Sequence, residues 1–221
     1  MTDPFYVYRP VLDLLGKSEG TAKGRGYNET LAYGAYTGGH RNLVTMTLAD
    51  IDELQRAMLV HPANRLNSSA LGLYQIVRKT RVEIEQKLRL RPTDLFDEAM
   101  QDRMACYLLG KRGIDQWLAK TMSDVEILNS LAKEWASLPT SKGIGHYNGQ
   151  RASVSVSEVL DALAQVRQRR GATSSQLRPV EQAKPAPAPK PSPPPANQNT
   201  APTKKGGWWA AIQALFGGRS K

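Results

Sequence analysis

The chain has 221 residues, with 30 Lys+Arg against 20 Asp+Glu and a formal net charge of +10. Its length suits one well-buried domain with appended segments. Residues 1–164 hold 20 basic and 19 acidic side chains, whereas residues 165–221 hold 10 basic ones against Glu181 alone, so the basicity belongs to the tail and the domain offers no strongly cationic face for nucleic acid.

From the amino terminus, Met1–Pro10 has neither a basic leader nor an apolar stretch of signal-peptide length, and no apolar run in the chain approaches the roughly 18 residues of a membrane-spanning helix. Val11, Leu12, Leu14 and Leu15 then form a short helical stripe that ends near Gly16–Gly20 and leaves Glu19 at its terminus. Between Thr21 and Leu43, five glycines (24, 26, 34, 38 and 39) interleave with Tyr27, Tyr33 and Tyr36, a pattern of turns or a small irregular hairpin whose rings can stack on sugar faces. Thr47 caps the next helix, with Asp50, Asp52 and Glu53 in its first turns. Further helices are predicted over 74–88, 93–109, 111–120, 123–136 and 155–168, with Thr93, Ser123 and Ser155 or Ser157 as caps. Cys106, the single cysteine, sits in the apolar run Met104–Leu109, where a buried inert thiol is expected and no intramolecular disulfide can form.

Composition changes after Arg170-Gly171. Proline, alanine, lysine and small polar residues dominate Pro179–Pro202, which favours an extended, semi-rigid spacer. Beyond it, Trp208, Trp209, Ile212, Leu215 and Phe216 fall on one face of a helix flanked by Lys204, Lys205 and Arg219. A helix over 207–217 spans roughly half a bilayer core at about 1.5 Å per residue, so it can lie on an anionic surface and cannot cross it. The organisation expected is a domain over 1–170, a Pro/Ala-rich linker over 171–203 and an amphipathic tail over 204–221. A terminal helix folded back on the domain is the competing reading of that tail.

A general acid must keep its proton near neutral pH, which requires a carboxyl partly desolvated against apolar neighbours. Glu19 at the end of a leucine-rich helix fits that need. A glutamate at a helix end is ordinarily a solvated surface group, and what distinguishes this one is its company. Ser68 and Ser69 offer short hydroxyls, Gly72 permits close approach, and Tyr74 and Gln75 carry a phenol and an amide. Tyr147 and Asn148 follow on a glycine-flanked loop. Neutral hydrogen-bonding groups and tyrosines suit an N-acetylated sugar chain better than a phosphate.

Three ordered segments carry a resemblance: Leu15-Gly16-Lys17-Ser18-Glu19-Gly20-Thr21, Ala70-Leu71-Gly72-Leu73-Tyr74-Gln75-Ile76, and Trp135-Ala136-Ser137-Leu138-Pro139. The chain resembles, over about residues 10–168, the endolysin family of phage lambda, peptidoglycan lytic transglycosylases of the lysozyme-like superfamily. The resemblance implies a mainly α-helical, lysozyme-like α+β domain with a small irregular or β lobe facing a helical lobe. It implies Glu19 as the catalytic acid; the residue types themselves point to Ser68, Ser69, Gly72, Tyr74, Gln75, Tyr147 and Asn148 as contacts to the glycan strand, the Tyr147-Asn148-Gly149 loop resembling as much the tyrosine motif of bacterial soluble lytic transglycosylases. It also implies non-hydrolytic cleavage of the bond between N-acetylmuramic acid and N-acetylglucosamine, leaving a 1,6-anhydro end. The expected protein is a monomeric phage or prophage endolysin, made in the host cytoplasm, needing no cofactor or metal and binding no nucleic acid. Its partners are periplasmic peptidoglycan and, through Lys204, Lys205, Trp208, Trp209, Ile212, Leu215, Phe216 and Arg219, an anionic envelope surface.

Hydrolysis is the alternative, and it ordinarily needs a second carboxylate. T-even phage lysozymes carry an aspartate and a threonine at positions that are Asn28 and Gly34 here; Glu29, Asp13 or Asp50 are the possible substitutes. A non-catalytic wall-binding or virion module is a reading from another class, and a secreted interbacterial effector shares the chemistry. His40, His61 and His146 show no metal-ligand spacing, His146 being the one that can line a cleft, and no nucleophile elbow is present.

Overall fold

In the computed structural model, which describes residues 3–176, the backbone forms seven α-helices, four single turns of 3-10 helix and three isolated β-bridges. The mainly helical expectation holds. Residues 21–46 are irregular, with no named strand among the described residues. The glycines here explain this: Gly20, Gly26, Gly34, Gly38 and Gly39 all have positive φ, as do Ala32 and Tyr33, and a chain that reverses so often cannot sustain a ladder.

Helix α1 (Arg9–Ser18) has Pro10 in its first turn and buries Val11, Leu12, Leu14 and Leu15 on one face, with Asp13 and Lys17 outward. Gly16 does not stop it. A Cβ there would meet Leu73 Cδ1 at 2.8 Å, so the glycine serves close approach of the 70–76 segment. Termination falls to Gly20, whose φ of 76° is the left-handed conformation that closes helices.

Helix α2 (Leu48–Val60) starts as expected at Thr47, which forms a reciprocal capping box with Asp50. The next two helices start later than their periodicity predicts. Leu71 and Ile76 close a tight turn through main-chain bonds of 3.0 and 3.3 Å, with Gly72 and Gln75 in left-handed conformations, so α3 is confined to Arg78–Leu88. Leu95 bridges Thr47 and Phe96 N–H donates to the Met46 carbonyl at 2.8 Å; α4 (Glu98–Lys111) is therefore capped by Asp97 rather than Thr93. At the second place tertiary pairing outcompetes local helix propensity; at the first a local turn does, its Ile76 carbonyl also held by Gln55 Nε2 at 2.9 Å.

Helix α4 is buried nearly all round, from Gln101 and Asp102 through Met104–Leu109, and contacts α1, α3 and α5 (Ile114–Leu118). Cys106 lies within it, and burial pushes its thiol well above the usual range, which makes it inert. Helix α6 (Asp124–Ala132) begins at the predicted Ser123, in a capping box with Glu126, and ends four residues before the expected 136. Helix α7 (Val156–Gln176) begins at Ser155, which accepts from Glu158 N–H at 3.2 Å. It continues through Gly171, since one interior glycine costs only about 1 kcal/mol.

Asp102 joins these pieces. Its carboxylate, 3% exposed, accepts from Tyr74 Oη at 2.5 Å, Tyr27 Oη at 2.8 Å and Arg9 Nη2 at 2.7 Å, linking α4 to the tight turn, the irregular segment after α1 and α1 itself. The described residues through Ser175 form one unit, and no helix among them is long and apolar enough to cross a membrane. The linker and the tail residues Lys204, Lys205, Trp208, Trp209, Ile212, Leu215, Phe216 and Arg219 lie outside the described residues.

Candidate active site

The end of α1 delivers Glu19 to a cavity of about 160 Å³ shared with Gly20, Thr21, Glu29, Thr30, Ala32, Tyr33 and Gln75. Two contacts bring its walls together. Thr21 Oγ1 donates to the Leu73 carbonyl at 2.6 Å, fixing the chain after Glu19 to the tight turn. Residues 29–31 pair with 70–72, through Leu31 N–H to the Ala70 carbonyl at 3.1 Å and Gly72 N–H to the Glu29 carbonyl at 2.8 Å. Glu19, Glu29 and Gln75 thereby face one space although they come from three separate segments.

Glu19 is half-buried. Burial raises its carboxyl above the ordinary glutamate value, partly opposed by the hydroxyl of Ser137. Ser137 Oγ lies 2.6 Å from Glu19 Oε1 and 2.9 Å from Ser18 Oγ, which lies 3.0 Å from the Leu15 carbonyl. Each hydroxyl owns one proton. Ser137 donates to Glu19 Oε1 and Ser18 donates to the Leu15 carbonyl, so the proton of the acid form belongs on Oε2, and in the ionised form the same Ser137 bond stabilises the carboxylate. The same hydroxyl can therefore support the acid before it donates and the base afterwards.

Ser137 owes its position to the turn after α6. Trp135 and Leu138 are 3% and 1% exposed, and the Ser137 carbonyl accepts from Ser153 N–H at 2.8 Å. The residue stands in a segment singled out by sequence, but 118 positions separate it from Glu19 and no local pattern links them.

Glu29 is 5% exposed, and its two oxygens accept from the N–H groups of Arg25 and Thr30 at 3.0 Å each. The other acids weighed for a second carboxylate are elsewhere. Asp50 is committed to the Thr47 cap and Asp13 faces outward from α1. Asn28 holds Val44 N–H at 3.1 Å, and Gly34 makes a turn with φ 93°.

Gln75 reaches the cavity from a left-handed backbone, its Nε2 donating to the Gly72 carbonyl at 2.9 Å. The remaining expected glycan contacts are distributed otherwise. Tyr74 is 1% exposed and donates a hydrogen bond to Asp102, so it supports the wall from behind. Ser69 is buried, its Oγ accepting from Arg78 N–H at 3.0 Å and its carbonyl from Gln55 Nε2 at 2.7 Å. Ser68 is half-buried and binds Asn64 through its carbonyl; Gly72 lies where a Cβ would strike Gln101 and Phe96. Tyr147 donates to the Lys133 carbonyl at 2.9 Å with its ring edge-on to His146, and Asn148 is exposed beside it, none of the three lining the Glu19 cavity. His61 accepts from Ala63 N–H at 3.2 Å, and His40 lies on an exposed loop.

Two roomier depressions, of about 490 and 500 Å³, have charges that are largely paired: Asp52 with Arg56 and Arg78 in one, Arg9 with Asp3 and Asp102 in the other. Size does not select the site here. The small cavity is the one that combines a desolvated acid with its own hydroxyl partner. A raised carboxyl with a hydroxyl partner is the arrangement that general-acid chemistry requires.

A family model of endolysins matches residues 9–173. The match covers well over half of the chain, which therefore belongs to the endolysin family, phage enzymes that degrade peptidoglycan. No curated protein and no solved structure gave a match.

Proposed function

We propose that this endolysin cleaves the β-1,4 bond between N-acetylmuramic acid and N-acetylglucosamine by transglycosylation, in a lysozyme-like cleft between the irregular lobe and the helices. Glu19 donates its proton to the glycosidic oxygen as the bond to C1 breaks. The C6 hydroxyl oxygen of the same muramic acid then bonds to C1, and its proton passes to Glu19, which restores the acid and leaves a 1,6-anhydro end. The observation that carries this reading is that both oxygens of Glu29 are taken up by the N–H groups of Arg25 and Thr30, whereas Glu19 is held by Ser137 through Oε1, which leaves Glu19 as the single acid to run the reaction. Gln75 is positioned to contact the strand, and Tyr147 and Asn148 lie on a loop outside the cavity. The enzyme would be made in the host cytoplasm and act as a monomer on the periplasmic wall.

Hydrolysis is the second reading, favoured by the presence of Glu29 in the same cavity. Mass spectrometry of digested wall separates the two: anhydro ends are expected, and reducing ends would indicate water as the acceptor. Glu29→Gln is expected to retain cleavage within about tenfold, whereas a nucleophile or base would lose about 10²-fold or more.

We further propose that residues 204–221 lie on anionic envelope surfaces, Trp208, Trp209 and Phe216 inserting with help from Lys204, Lys205 and Arg219. Removal of 177–221 is expected to leave activity on purified wall intact and to weaken killing of whole cells; equal loss in both assays would contradict this.

A further inference from the structure

Ala32 and Tyr33 occupy the left-handed region in succession, with φ of 52° and 55°. That conformation is disfavoured for any residue with a Cβ and more so for a bulky one. Burial returns nothing at Tyr33, which is 80% exposed. Tyr27 and Tyr36, its companions in residues 21–46, are edge-on to Tyr74 at 6.2 Å and to His61 at 5.6 Å, but the Tyr33 ring meets no other ring among the described residues. Main-chain bonds pin the unusual backbone: Tyr33 N–H donates to the Thr30 carbonyl at 3.0 Å, Ala35 N–H to Ala32 at 3.2 Å, and Gly39 N–H to Gly34 at 3.0 Å. Strain retained without a packing gain is a property of sites that work on ligands. Its result here is to hold a bare phenol ring at the cavity that contains Glu19 and Gln75.

We propose that Tyr33 is a sugar-stacking platform whose ring face packs on the apolar C–H face of an N-acetylhexosamine beside the bond that Glu19 attacks. The cavity lining includes no lysine or arginine, which suits a neutral ring better than a phosphate. An exposed aromatic is covered only when the strand binds, so its contribution falls on affinity and on which sugar sits over Glu19. This inference rests on the reading of Glu19 as a glycan-cleaving acid.

The test uses Glu19→Gln protein, which binds without turnover, and calorimetry with a tetrasaccharide of alternating N-acetylglucosamine and N-acetylmuramic acid. Tyr33→Ala in that background is expected to weaken binding about three- to tenfold, and Tyr33→Phe to stay within about twofold of its parent. Neither substitution should lower Tm. Tyr33→Ala binding as tightly as its parent overturns the platform while leaving the role of Glu19 standing. A parent that binds no tetrasaccharide, together with wild-type protein that releases no glycan fragments, overturns both.

Discussion

Glu19→Gln is expected to reduce release of glycan fragments by about 10²- to 10⁴-fold, the usual contribution of a positioned general acid, with the fold intact. Its thermal stability should move the other way. Burial raises the folded-state carboxyl above its unfolded value, so the wild-type protein loses stability as pH climbs from the unfolded value through the raised one. The amide has no such cost. The variant should melt with wild type below that window and at a higher Tm above it, which scans at acidic and neutral pH will read. Wild-type activity should fall as pH rises through the raised Glu19 value, because the acid must hold a proton. Ser137→Ala removes the group that lowers this value, so the alkaline limb of the activity profile should shift to higher pH, with a rate loss of up to about tenfold. An unchanged limb in Ser137→Ala would remove Ser137 from the mechanism.

Arg81→Met is expected to be the most destabilising single change away from the cavity. The side chain is 1% exposed and joins Gln55 Oε1 at 2.7 Å, Asp52 Oδ1 at 2.5 Å and the carboxylate of Glu85. Gln55 in turn donates to the carbonyls of Ser69 at 2.7 Å and Ile76 at 2.9 Å. Losing the guanidinium leaves the buried Gln55 Oε1 unmatched and Glu85 without its cation, while Asp52 keeps Arg56 and Arg78, a loss of about 3 kcal/mol, which for a domain of this size lowers Tm by roughly 10 °C. Activity should fall with it, since Gln55 braces the turn that carries Gln75. Arg56→Ala is the control: that exposed partner of the same Asp52 should cost no more than about 1 kcal/mol. Similar melting of the two variants would show that the buried network is not what holds the turn.

Much of the helical framework was legible because its signals are local. Thr47, Ser123 and Ser155 each combine a hydroxyl with an acid three residues on, and each caps a helix. The stripe of Val11, Leu12, Leu14 and Leu15 is buried as its spacing requires, and Glu19 sits at the helix end where desolvation could act. The differences arise where a tight turn or a distant partner takes the main chain. Residues 74–77 and 93–96 read as helix, but their main chains are claimed by a turn across Leu71 and Ile76 and by contacts to Met46 and Thr47. Tyr74 reads as a ligand contact because a phenol beside an amide suggests one, whereas its hydroxyl donates to Asp102, 28 positions away.

The sequence alone determined the helix caps, the apolar stripe of α1, the inert burial of Cys106 and the acid at position 19, all consequences of residues within a turn or two of one another. Only the tertiary structure decided what surrounds that acid. Ser137 reaches Glu19 across 118 positions, Glu29 and Gln75 join it through paired loops, and Tyr33 is held at the rim by a left-handed backbone. The physical reason is that proton affinity and ligand contact depend on what lies within a few ångströms, and folding brings those groups together from segments whose spacing in the chain carries no record of their meeting.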